Sequence, residues 1–481
     1  MPRIRPVAVG AAAVLLCLAG PAWSATAQPD GVSPGVPPQV DPGQRPTAAE
    51  AGSFPYLADG QVGPATAVSS CASPTRGSGL DPRAIPAAQD RLRIREAQQF
   101  ATGQGQTVAV IDSGVNPHPR LRGRLDDGGD YILGASGTSD CEGHGTVVAG
   151  IIAAAPEAGT GFVGVAPSAR VLSIRHGSNY FQVEIPDPDS PGGIRKDIAG
   201  NTESMARAVV QAVLRGASVI NISEAACFPA IRGAGGAIPD ADLQAAVHHA
   251  AESDVVVVVA AANVNDESEC RQNPPGGVTT ISSPGWFDDD VLTVAATDTR
   301  NGEHAPFSIR GPWVDVAAPG TGIVSLDAAG PDLTNMLVAP NGETDTIQGT
   351  SFAAPYVAGV AALIRERYPE LSARQVMERI ERTAQAAGGI DGRNDELGHG
   401  VVNPVAALTD ILPGGEGAGP PAVQPARLED FRLPPPEDPI RRTIALAGAG
   451  AGVGLLGLTL AIVYTVRRYR RSKLAEAYRT R

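Results

Sequence analysis

The chain has 481 residues, a formal net charge of −13, 43% hydrophobic residues and only 4% aromatic ones. That charge argues against a protein that tracks nucleic-acid phosphates, and the scarcity of aromatics argues against base-stacking platforms. Gly 57 and Pro 42 stop just short of a disordered composition and show no G-X-Y repeat, so collagen is excluded and a sizeable core is possible.

Arg3 and Arg5 precede an apolar run over residues 7–20, and Ala25-Thr26-Ala27 supply an A-x-A cleavage site. This pattern predicts a secretory signal peptide over 1–27, cut after Ala27 or, alternatively, after Ser24, because the run is too short to span a bilayer. Four cysteines remain after it: Cys71, Cys141, Cys227 and Cys270. An even number in an exported chain predicts two disulfides, and four cysteines allow three pairings. Nearest-neighbour pairing, the one favoured, gives Cys71–Cys141 and Cys227–Cys270.

Residues 28–80 are rich in Pro, Gly, Ala and Ser and read as an extended arm; the whole N-terminal extension runs over 28–100. Over 101–412 short β-branched runs (107–111, 170–174, 219–222, 255–260, 291–295) alternate with amphipathic stretches at 202–215 and 240–253. Alternating strand and helix predicts an α/β domain, with a mostly parallel sheet and helices on both faces. The run 255–259 is apolar at every position, as a strand buried on both faces requires. Residues 176–200 carry Pro, Asp and Gly and read as a surface loop insertion. Residues 413–442 read as a semi-rigid Pro/Gly-rich linker.

Residues 443–466 carry no charge, and at about 1.5 Å per residue they reach about 36 Å, enough to cross a membrane as a helix. The basic tail 467–481 places the C-terminus in the cytoplasm and the body outside it.

Three segments carry chemistry. Asp112 ends a predicted strand in D-S-G; His144 opens a predicted helix in H-G-T; Ser351 opens another in G-T-S-F-A-A-P. A serine hydroxyl is a weak nucleophile that needs a base within reach, imidazole suits that task near neutrality, and a buried carboxylate fixes its tautomer. In an open α/β sheet ligands bind outside the carboxyl ends of the strands, where such element ends meet.

The order Asp, His, Ser with these motifs resembles the subtilisin-like serine proteases over about residues 100–410. The resemblance implies Asp112 as orienter, His144 as general base and acid, and Ser351 as nucleophile. It also implies an oxyanion-hole amide, here Asn263 within A-A-A-N, where the family usually has A-A-G-N; Asn265 is a weaker alternative. Phe352 and Tyr356 stand where the family usually has Met and His, a difference expected to affect subsite shape. The full layout is similar to that of the mycosins, membrane-anchored proteases of type VII secretion. That implies an extracytoplasmic protease domain, exported protein substrates, a secretion membrane complex as partner, and an arm that wraps the domain without inhibiting it. A structural subunit with secondary proteolysis is the alternative.

No cofactor or metal is expected. His118, His176, His248, His249, His304 and His399 show no metal-ligand spacing and read as surface or satisfied residues. The acidic stretches at 126–127, 266–269 and 288–290 match no calcium-loop signature and read as solvated loops.

Overall fold

The computed structural model describes residues 36–412, apart from 59, 73–78, 231–239, 266–267 and 390–391, together with 455–456 and 458–468. The signal peptide call (1–27), the linker call (413–442) and most of the tail call lie outside the described residues, as do 443–454 and 457 of the expected span. Residues 455–456 and 458–468 are helical with exposed apolar side chains. Among the described residues no helix is long and apolar enough to cross a membrane.

The region over 101–412 is built on a nine-stranded sheet. Its strands are β1 (Thr107–Asp112), β2 (Leu125–Asp130), β3 (Arg170–Arg175), β4 (Val219–Ile222), β5 (Val256–Ala260), β6 (Leu292–Thr297), β7 (Val316–Pro319), β8 (Gln385–Ala386) and β9 (Gly400–Val401). They lie in the order β8-β9-β7-β6-β5-β4-β1-β3-β2, parallel throughout except for the β8–β9 pair. The chain enters at β1 inside the sheet, winds to the β2 edge, returns through β3, and then builds the other half from β4 onward. The expected parallel sheet is therefore present, with helices on both faces.

Side-chain alternation explains the layering. Val108 and Val110 of β1 join one core with helices α1 (His144–Ala153) and α4 (Thr350–Arg367). Ala109 and Ile111 point the other way and join a second core with α2 (Thr202–Leu214) and α3 (Ala241–Glu252). Successive strand residues face opposite sides, so a strand covered on both must be apolar at every position. All five residues of β5 are buried.

Two readings need correction. Residues 176–200 are not a loop insertion: Ser178–Pro186 and Ile194–Ala199 pair antiparallel as a hairpin. Its Pro, Asp and Gly residues sit mainly in the turn. The acidic 126–127 stretch is no solvated loop either. It lies in β2, a sheet edge where one flank meets solvent and polar side chains are tolerated; Asp126 pairs there with Arg170 at 2.5 Å.

The arm wraps the domain. Thr66–Ala67 adds a third strand to the hairpin, with Thr66 opposite Gln182 and Ala67 opposite Phe181. Tyr56 donates to Glu203 of α2 at 2.7 Å, and Arg207 lies over its ring. Both nearest-neighbour disulfides are formed, Cys71–Cys141 and Cys227–Cys270.

Candidate active site

β1 ends in Asp112, which is fully buried. The next turns bring the start of α1 back over it, and His144 Nδ1 lies 2.7 Å from Asp112 Oδ1. Gly145 makes that approach possible: a Cβ there would stand 2.0 Å from the Gly114 carbonyl oxygen and 3.0 Å from Asp112 Oδ1. The turn before α1 is held by Asp140, a residue that sequence reading missed. Its Oδ1 accepts from Ser113 Oγ and the Glu142 and Gly143 N–H groups, and its Oδ2 from Thr146 N–H and Oγ1. One buried carboxylate thus satisfies the helix start that carries the imidazole.

His144 and Ser351 line one open cleft of about 540 Å³. Asp112 sits behind His144. Ser351 lies in the first turn of the 18-residue helix α4, where the helix dipole favours developing negative charge. The ring of Phe352 stands 4.9 Å from the His144 ring. Its effect is therefore on the position of the base itself, beyond the subsite shape expected for it. Tyr356 is fully buried among core residues.

Pro355 lies inside α4. A proline has no N–H to give to the carbonyl four residues back, and here that carbonyl belongs to Ser351. Ser223 Oγ donates to it instead at 2.7 Å, and Asn221 Nδ2 in turn donates to Ser223 at 2.8 Å. The end of β4 therefore anchors the turn that carries Ser351.

Burial disfavours a charged His144 imidazole, but Asp112, Glu142 and Glu224 outweigh it and push its pKa up to about 10. Burial also raises the Glu142 carboxyl. Burial works the same way on Glu224, yet the His176 imidazole holds that carboxyl below its usual range. Neither acid was singled out from sequence, because each enters the cleft only through tertiary folding. His176, read as surface or satisfied, is neither: it is buried, its Nε2 makes a 2.8 Å ion-pair contact with Glu224 Oε2 outside hydrogen-bond geometry, and its Nδ1 has no hydrogen-bond partner among the described residues.

Asn263 follows β5 and also lines the cleft. Its Oδ1 accepts from Thr350 N–H at 3.0 Å and Thr350 Oγ1 at 3.1 Å. With the oxygen fixed at the start of α4, the Nδ2 group is left as donor beside Ser351. Asn265 lines the same cleft, and its backbone N–H bonds the Cys270 carbonyl. Asn263→Ala is expected to lower kcat by about 10²–10³-fold with little change in KM, the loss typical of one oxyanion donor. Steady-state kinetics on a peptide substrate checks this.

Ala262, where the family usually has Gly, adopts φ +75°. A left-handed Cβ costs about 1–2 kcal/mol, and glycine's greater freedom in the unfolded chain offsets part of any relief. Ala262→Gly is expected to stabilise the domain by up to about 1 kcal/mol, read as a higher denaturation midpoint. An unchanged or lower midpoint would show that the strain is absorbed elsewhere.

Among the described residues no group of three or more His, Cys, Asp or Glu side chains is placed to hold a metal ion. Of the other acidic stretches, Asp290 faces His248 at 3.0 Å.

Comparison with known proteins adds to this geometry. The Subtilase family matches residues 103–400. Mycosin-1 of Mycolicibacterium smegmatis is 40% identical over 94% of this chain and 98% of its own length. The solved MycP3 protease from the type VII (ESX-3) secretion system is 41% identical with a TM-score of 0.68, covering 79% of this chain and 100% of that one. A chain in the periplasmic assembly of the ESX-5 inner membrane complex is 38% identical with a TM-score of 0.70, covering 84% of this chain and 100% of that one.

Proposed function

The chain belongs to the subtilase family and, within it, to the mycosins, and from that premise we propose how it acts. It is a subtilisin-like serine protease. Ser351 attacks the scissile carbonyl, His144 takes its proton and returns it to the leaving amine, and Asp112 orients the imidazole and stabilises its charged form. Asn263 Nδ2 and the Ser351 N–H receive the oxyanion. Water then resolves the acyl-enzyme by the same route in reverse. The observation that carries this reading is the 2.7 Å Asp112–His144 contact at the wall of the cleft that also holds Ser351.

The relatives support the following setting. The protein serves a type VII secretion system and cleaves exported protein substrates. The protease domain faces the extracytoplasmic side, held by a C-terminal helix within 443–466. The likeness to a chain of the ESX-5 assembly supports a secretion membrane complex as partner, and it equally favours a second reading as a structural subunit. Fluorophosphonate labelling of the detergent-solubilised protein tests the chemistry, with Ser351→Ala as control; absent labelling of the unaltered protein rejects it. In cells, Ser351→Ala separates the two roles. If secretion and substrate processing are unaffected, proteolysis is secondary to assembly.

Cys141 lies three residues before His144, so the Cys71–Cys141 bond ties the arm beside the site. A nick between arm and domain would leave the two joined. Intact mass under non-reducing conditions should show the arm retained.

A further inference from the structure

The cleft around Ser351 has an unusual charge balance. Three carboxylates, Glu142, Glu224 and Glu269, line it, and among the described residues no lysine or arginine does. Two of the three flank the reacting groups. Glu142 precedes His144 by two residues, and Glu224 follows Ser223, whose hydroxyl holds the Ser351 carbonyl.

These two differ in what they leave open. Glu142 is engaged on both oxygens: Oε2 accepts from Ser178 Oγ and the Asn179 N–H, and Oε1 from Asn179 Nδ2, all at 2.9 Å. Glu224 is held on one side only. His176, itself 2% exposed, brings its Nε2 to 2.8 Å from Oε2 as an ion-pair contact, while the Glu224 side chain stays 33% exposed and its Oε1 has no partner among the described residues. A buried imidazole beneath a cleft carboxylate draws one oxygen inward by charge and leaves the other toward the space that a substrate enters.

A peptide lying in the cleft strips water from that oxygen. Covering an ionised carboxylate with neutral groups is unfavourable unless a donor replaces the water. A lysine ammonium or arginine guanidinium supplies a charge-assisted donor.

We propose that this protease selects substrates bearing a lysine or arginine side chain beside the scissile bond, with Glu224 as the recognising carboxylate and His176 as the residue that positions it. The proposal rests on the reading of Ser351 as nucleophile.

The test uses the full-length protein in detergent and peptide pairs identical except for Lys or Gln at positions flanking the cleaved bond. The unaltered protein is expected to favour the Lys peptide in kcat/KM by ~10-fold or more at low salt. That preference should shrink as salt rises, since part of the cleft is open to solvent. Glu224→Gln should bring the ratio close to one, Glu224→Lys should invert it, and Glu224→Asp should restore part of it. His176→Phe should weaken the preference by freeing the carboxylate. A ratio near one in the unaltered protein, or a ratio insensitive to both salt and Glu224→Gln, overturns the proposal. Fluorophosphonate labelling separates the two levels. Labelled Ser351 with no Lys preference rejects the selectivity alone, whereas neither labelling nor cleavage rejects the protease reading beneath it.

Discussion

Ser351→Ala is expected to lower kcat by about 10⁶-fold, the scale of loss when a subtilisin loses its nucleophile. The other serine hydroxyls that line the cleft among the described residues are already engaged: Ser178 with Glu142, Ser223 with the Ser351 carbonyl and Ser268 with the Asn265 carbonyl. Thr350, the neighbour of Ser351, is fully buried, with its own hydroxyl bonded to Asn263 Oδ1 at 3.1 Å. The oxyanion donors would remain and still bind a peptide, so KM should move far less than kcat. The fold should be untouched. Ser351 is only partly buried, and alanine suits a helix better than serine does. Active-site titration combined with a melting curve checks both halves. Substantial residual turnover, inhibited by the same fluorophosphonate, would place the nucleophile elsewhere.

Asp112→Asn should cost less, about 10⁴-fold in kcat. Asparagine fits the space of the fully buried aspartate, so the turn at the end of β1 should persist. It nevertheless offers the His144 Nδ1 group the wrong partner on one side and removes a charge on the other. The pH dependence distinguishes those effects. The base must be neutral to accept the serine proton, and its proton affinity is raised toward about 10 by Asp112, Glu142 and Glu224. The kcat/KM profile of the unaltered protein should therefore rise with pH along a limb whose midpoint lies well above 6.5. Removing the Asp112 charge should move that midpoint down while the plateau falls. Glu142→Gln and Glu224→Gln should shift it down by smaller amounts. A midpoint at or below 6.5 in the unaltered protein would contradict the electrostatic picture of the cleft.

The three residues proposed as the triad stood out in sequence because each sits where an element begins or ends. Asp112 closes an apolar β-branched run, and His144 and Ser351 each open a run of small apolar residues that packs as a buried helix. The strands whose residues are buried on both faces announced themselves for the same reason. β2 did not, because its sequence L-D-D-G-G-D belongs to a sheet edge and carries no apolar alternation. The hairpin at 178–199 was hidden by the Pro, Asp and Gly of its turn. Asp140, Ser223, Glu142, Glu224 and His176 share a different obstacle. Each is an ordinary polar residue in its local context, and its role arises only when distant segments converge. Asp140 had one signal available, a carboxylate just ahead of a helix start with no better cap; Ser223 and Glu224 had only their place just past a buried strand.

The proline in α4 gives the nucleophile an unexpected dependence. A helical turn ordinarily closes on itself, so its alignment is a local matter. Here that closure is handed to a hydroxyl arriving from a neighbouring strand. The reactive serine is thereby registered against the sheet directly, as a beam is pinned to a wall, and sliding of helix past strand would detach the pin before it moved the helix.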